Sequence, residues 1–272
     1  MPTRRLPLPY RAGPCTRVLL SLLAALPLAL LGGSPAGAAS GTPIASCGTT
    51  ISAPGAYYLA QDLSCGSGDG VDITASQVVL NLNGKQLTES AQAVGILVEP
   101  GVGHVVIQGP GTVRPTGEGA SGIVLTGVQL STVRGVTLDC GGAIFSVGVG
   151  IFTNGGAPSQ GNTLSNNTVS NCDTGFSVGG AGHQTVTGNS ASHGETGIFV
   201  EQGDGDVLQA NTVSQNSYGI QVFALSVSHA KIQGNTAKGN STFDLNDLNP
   251  GCGSDIWRGN SFGTADPASC IH

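Results

Sequence analysis

The segment Gly197–Ser217 reads GIFVEQGDGDVLQANTVSQNS, and its pattern comes in threes. GIFVE alternates, with Ile198 and Val200 on one side and Phe199 on the other. QGDGD reads as a turn, VLQA as a second short strand, Asn211 as a bend and TVSQ as a third strand, before Asn216-Ser217 closes the unit. Alternation over runs of about four residues is strand periodicity. The middle of the segment, EQGDGDV, also sets Glu201, Asp204 and Asp206 among glycines, the kind of ligand set that a hard cation such as calcium takes.

The flanking sequence repeats this unit. Gly70-Val71, Gly95-Ile96, Gly122-Ile123, Gly150-Ile151, Gly175-Phe176, Gly197-Ile198 and Gly219-Ile220 recur every 22 to 28 residues. A second column, Asn167, Asn189, Asn211, Asn235 and Asn260, keeps intervals of 22 to 25. Two columns with one period mark a solenoid. Three short strands per repeat, and no sustained amphipathic helical run after Ala38, make it all-β: a three-faced parallel β-helix of about eight coils. Stacked coils lie about 4.8 Å apart, so equivalent residues sit above one another. The asparagines are expected to form an amide ladder. The Asn166-Asn167-Thr168 and Asn240-Ser241-Thr242 sequons leave glycosylation as the other reading.

Residues 1–38 stand apart from the repeats. Arg4, Arg5, Arg11 and Arg17 precede the apolar run Val18 to Leu31 and the small-residue stretch Ala36-Gly37-Ala38, a signal-peptide pattern with cleavage expected after Ala38. The Arg4-Arg5 pair makes twin-arginine export the alternative to the general secretory route. The run is short and broken by Pro27, so a secreted or extracytoplasmic product without a transmembrane helix is expected. Beyond it come an N-terminal cap region (39–69), the coils (70–243), and a last coil with the C-terminal cap (244–272).

Charge narrows the partners. After Ala38 only Lys85, Arg114, Arg134, Lys231, Lys238 and Arg258 are basic, against 16 acidic residues, so the net charge moves from −6 to −10. Such a surface offers little to phosphates and excludes nucleic acid as a partner. It is also a poor start for gripping polyanions. Six cysteines remain: Cys47, Cys65, Cys140, Cys172, Cys252 and Cys270. An even number in an exported chain favours disulfides, and no C-x-x-C spacing suggests a metal site. Cys47 and Cys65 bracket the N-terminal cap, and Cys252 and Cys270 the last coil, where Trp257 and Phe262 add bulk. Cys140 and Cys172 fall at one place on adjacent coils.

The repeats GIFVEQGDGDVLQANTVSQNS and GIQVFALSVSHAKIQGNTAKGN, with QVVLNLNGKQLTE and DLNDLNPGCGSDIWRGNSFGTADPASC, resemble secreted bacterial right-handed parallel β-helix proteins of the NosD-like and mannuronan-epimerase-like group. The resemblance implies a right-handed β-helix and directs attention to known catalytic patterns. No two acidic residues are adjacent, as a polygalacturonase-like site requires. No Asp-Pro-His-Asp segment occurs, and the cations are scattered over different coils. The expectation is an exported scaffold or glycan-contacting surface protein, with no catalytic residue assigned, partnered by extracellular or cell-wall polysaccharide. The alternative is a polysaccharide lyase, epimerase or glycoside hydrolase with a divergent site.

One polar constellation stands out. His183, Asp206 and His229 lie five or six residues before their coils' ladder asparagines and are expected to stack on consecutive coils, with Glu201 and Asp204 nearby. A carboxylate between two imidazoles would bind Ca2+ or another divalent metal, or tune a histidine as a base. The plainer reading is a polar turn, since EQGDGDV does not recur and lacks the spacing of calcium-binding nonapeptide rolls. Phe152, Phe199 and Phe223 are placed to offer sugars a platform, or else to pack against the sheet. Phe176 takes an aliphatic slot and is expected in the core.

Overall fold

The computed structural model describes residues 40–272 apart from 91, 144, 153–158 and 224–226. The leader and the cleavage expected after Ala38 lie outside the described residues. The described chain is a right-handed parallel β-helix in which each full coil gives one short strand to each of three sheets. In the coil quoted above these are Val207–Gln209 on a first sheet of 10 strands, Thr212–Ser214 on a second of 9, and Thr196–Val200 on a third of 10. That makes about nine turns, more than the eight expected. The difference arises because the capping segment is itself wound: Thr49–Ile51 pairs with Val71–Ile73, and Thr42–Ile44 with Tyr57–Leu59.

Register fills the interior. On the third sheet Val71, Ile96, Ile123, Val149, Phe176, Ile198, Ile220 and Leu245 lie in line, and all are buried. On the first sheet the line is Leu80, Ile107, Val133, Leu164, Val186, Leu208, Ile232 and Trp257. The second sheet adds Leu87, Val113, Leu138, Val169, Ala191 and Val213. Each side chain covers the one in the coil beneath, so each burial is worth roughly 1.5–3 kcal/mol while the cross-section stays narrow.

The glycine column departs from its expected register at one member, by two residues. Gly148, not Gly150, continues Gly122, because Val149 pairs with Ile123 while Gly150 pairs with Val124 on the outer side. The column is glycine because the coils approach there and not because a corner needs flexibility. A Cβ at Gly70, Gly95, Gly122, Gly148, Gly175 or Gly197 would stand 2.5–2.8 Å from the carbonyl oxygen of the next glycine.

The asparagines hydrogen-bond in a ladder. Oδ1 of Asn189 accepts the backbone N–H of Asn167 at 2.9 Å and its Nδ2 at 3.1 Å, and Asn211, Asn235 and Asn260 repeat the pattern in turn. Each Nδ2 also reaches a backbone carbonyl, as Asn211 does to Val186 at 2.8 Å. The left-handed bend falls one residue earlier, at Asn166 (φ 53), Gly188 (φ 65), Ala210 (φ 54), Gly234 (φ 63) and Gly259 (φ 61). A shorter ladder at the next corner, Asn216 to Asn240 to Asp244, uses the Asn240 amide inside the wall.

Disulfides join Cys47 to Cys65, Cys140 to Cys172 and Cys252 to Cys270. The middle pair bridges adjacent coils at a Cα separation of 4.8 Å, about one strand spacing. At the C-terminal end Trp257 is buried and its Nε1 donates to Asp247 Oδ2 at 2.8 Å. Among the described residues no helix is long and apolar enough to cross a membrane.

Candidate functional site

The expected stack of His183, Asp206 and His229 does not form. The backbone N–H of His183 donates to the Asp204 carbonyl, and that of Gly205 to the Ser228 carbonyl. The residue between the two histidines is therefore Gly205, with φ 69 beside φ 57 at His183 and φ 52 at His229. A Cβ at Gly205 would meet the His183 Nδ1 at 3.1 Å, so glycine here makes room for the imidazole. Asp206 lies one position further and turns into the wall. A one-residue slip across a turn moves a side chain to the other face.

What the turn brings together is Asp204 and His229. Asp204 Oδ1 lies 2.8 Å from His229 Nδ1 and accepts the Ser228 hydroxyl at 2.7 Å. The Ser228 hydroxyl first, then the His229 imidazole, hold the Asp204 carboxyl below its usual range, with His183 adding a smaller effect. Both partners are exposed, so the pair is screened by water and adds little to stability.

Asp206 belongs to a third ladder, beside the two of asparagines. Ser131 N–H donates to Asn162 Oδ1, Asn162 N–H to Gln184 Oε1, and Gln184 N–H to Asp206 Oδ1, at 2.7–2.9 Å. The signal was present, for Asn162, Gln184 and Asp206 keep the same 22-residue spacing as the asparagine column. Burial pushes the Asp206 carboxyl up to about 7 against the lowering effect of the Gln184 N–H, and the charges of Asp204 and Asp255 add to the rise. Gly203 is glycine because a Cβ there would collide with Asp206 Oδ2. The GDGD motif is thus built around packing one buried carboxyl and one imidazole.

The outer face of the third sheet carries Phe152 and Phe199, and Phe223 directly follows one of its strands. Its central column runs Gly150, Ser177, Phe199, Gln221 and Asn246 on successive coils. Phe199 and Phe223 meet edge to face, with ring centroids 6.0 Å apart and planes at 77°. Phe223 is 47% exposed. The two rings, with Glu201 and Gln202, line a pocket of ≈ 290 Å³. The Ser177 hydroxyl donates to Glu201 Oε1 and fixes that carboxylate at the pocket. Phe152 is on the same face, with its ring lying across Gly150. Phe176 is buried in the core.

The NosD family, described as periplasmic copper-binding protein, matches residues 106–253. The chain belongs to the NosD family. The fold of this NosD-family chain is similar to that of the alginate lyase from Paenibacillus sp. str. FPU-7, with a TM-score of 0.59 and 14% identity, covering 81% of this chain and 90% of that one. It is also similar to the enzymatically active domain of tailspike protein 2 of bacteriophage CBA120, with a TM-score of 0.57 and 14% identity, covering 79% of this chain and 39% of that one. At such identities the likeness is one of fold. No curated protein matches the chain.

The family description names copper, whose soft ligands are thiolate and thioether. All six cysteines of the described chain are in disulfides. Among the described residues no three His, Cys, Asp or Glu side chains are grouped to hold a metal. Asp204 and His229 supply two donors without a third, so the described residues do not fit a copper centre. The same holds for the calcium site that EQGDGDV suggested: Asp206 faces the wall and Glu201 faces the pocket.

Proposed function

We propose that this NosD-family protein is an extracytoplasmic, glycan-contacting β-helix that binds polysaccharide along the outer face of its third sheet without transforming it. The observation that carries this reading is the Phe199–Phe223 pair beside the fixed Glu201 carboxylate. Exposed aromatic edges and faces on a rigid sheet are what the apolar side of a sugar ring packs against, and they lose little entropy on contact. The three disulfides and the family's periplasmic description support an oxidising compartment.

The enzyme alternative finds less support. Asp206, whose raised pKa would suit a general acid, is fully buried and cannot touch a ligand. Arg114 is engaged with Asp139 on the second sheet at 3.1 Å. A panel of immobilised polysaccharides, run beside reducing-end and uronate-lyase assays, separates the readings. Binding without turnover supports the proposal, turnover would replace it with the enzyme, and absence of both would end it.

A further inference from the structure

We infer that the Phe199–Phe223 pocket takes a sugar bearing a protonated amine, a glucosamine-type unit of a de-N-acetylated glycan, in preference to a uronate. The inference rests on the glycan-contacting reading above and names the class of sugar that the pocket selects.

The first observation is where the cations lie. Arg134, Lys231 and Arg258 are in strands of the first sheet, and Arg114 and Lys238 in strands of the second. Lys85 immediately precedes the second-sheet strand Gln86–Glu89. No lysine or arginine after Ala38 falls in a strand of the third sheet.

The second observation is what that sheet carries instead. Asp72 and Asp266 stand in the outer column that includes Phe199, and Glu99 and Glu201 directly follow third-sheet strands. At the N-terminal end of this column, five coils from Phe199, burial raises the Asp72 carboxyl and the like charges of Asp69 and Glu99 raise it further. A polyuronate laid here would bring one carboxylate per residue towards Glu201 with no cation to receive it.

The third observation is the pocket itself. At ≈ 290 Å³ it lies near the lower end of ligand-sized cavities, suited to one sugar unit rather than a long stretch. Two aromatic rings and one carboxylate share its wall. An ammonium gains from both, through the negative ring faces and through a charge-assisted hydrogen bond. Ser177 holds Glu201 in place, so little side-chain freedom remains to be lost on binding.

The test is calorimetric titration of the mature chain at pH 5.5 with three tetrasaccharides: glucosamine, N-acetylglucosamine and a uronate. The glucosamine tetramer is expected to bind ~10-fold more tightly than the N-acetylated one, with an advantage that shrinks as salt rises from 0.05 to 0.5 M. Glu201→Gln is expected to abolish the advantage at an unchanged melting temperature, while Phe199→Ala weakens both neutral and cationic ligands. If Glu201→Gln does not fold, the salt series on the wild-type chain decides. Equal affinity for the amine and N-acetyl forms, or tighter binding of the uronate, would overturn the amine preference and leave glycan contact standing. Failure of all three to bind the folded chain would overturn both.

Discussion

Asp206 Oδ1 accepts the backbone N–H of Gln184 at 2.7 Å, while Asp206 Oδ2 is buried with no hydrogen-bond partner among the described residues. Asp244 ends its own ladder differently. Its Oδ1 accepts both nitrogens of Asn240, and its Oδ2 accepts the N–H groups of Gly263 and Thr264. Burial would raise the Asp244 carboxyl, but these donors outweigh it and hold the group below its usual range. Two ladder-ending aspartates are thus pushed in opposite directions: deeper burial and neighbouring carboxylates win at Asp206, and the N–H donors win at Asp244.

The Asp206 proton makes stability depend on pH. The native carboxyl, raised to about 7, holds its proton more tightly than the unfolded one near 3.8. Its contribution is therefore fully present below about pH 4, declines as pH rises, and is gone above about pH 7. The span is on the order of 4 kcal/mol. Asp206→Asn removes this titration and supplies an N–H where Asn162 already uses one, to the Val128 carbonyl at 2.8 Å. Urea unfolding at pH 8 is expected to show the variant more stable by about 2 kcal/mol or more, with the gap closing near pH 4. Equal stability of the two chains at both pH values would refute the buried proton.

Gly175→Ala tests the close approach of coils. The new Cβ would stand 2.5 Å from the Gly197 carbonyl oxygen and 3.0 Å from the Ala191 Cβ. Since neither neighbour has space to retreat, a loss of roughly 2–3 kcal/mol is expected. Gly66→Ala is the control, because its nearest atom is the Ser90 hydroxyl at 3.9 Å, and it should unfold like wild type. Similar denaturation midpoints for the two variants would contradict the steric account.

Removing the C-terminal staple should act locally. Cys252 and Cys270 close an 18-residue segment around the last coil, and a loop of that size is worth about 3 kcal/mol in the chain-entropy view. Coils contact only their neighbours. In the Cys252→Ser/Cys270→Ser variant, amide exchange is therefore expected to quicken across residues 244–272 and to stay slow in the Val113 and Leu138 coils. Uniform acceleration along the solenoid would show the staple to be a global one.

The β-helix was legible because alternation inside GIFVE and two columns of one period are properties of spacing alone. Ile198 and Val200 inward with Phe199 outward follow from that alternation, and so does the burial of Phe176. Legibility failed where turns change length. Spacing alone aligns Asp206 with histidines that in fact flank Gly205, a one-residue slip, and puts Gly150, two residues along on the same face, in the place of Gly148. A period of two makes any one-residue slip reverse a side chain's direction. The Ser177–Glu201 contact spans 24 residues and depends on coil register, which no single segment encodes.

The central claim is that the third sheet binds glycan through Phe199 and Phe223. Its most direct test is binding of the wild-type chain and Phe199→Ala, side by side, to one panel of immobilised polysaccharides. Loss of an aromatic contact worth about 1.4 kcal/mol corresponds to ~10-fold in affinity. The account predicts that the wild type retains at least one glycan and that Phe199→Ala binds it ~10-fold more weakly at the same melting temperature. A wild type that retains none, or a variant that binds as well, would contradict it.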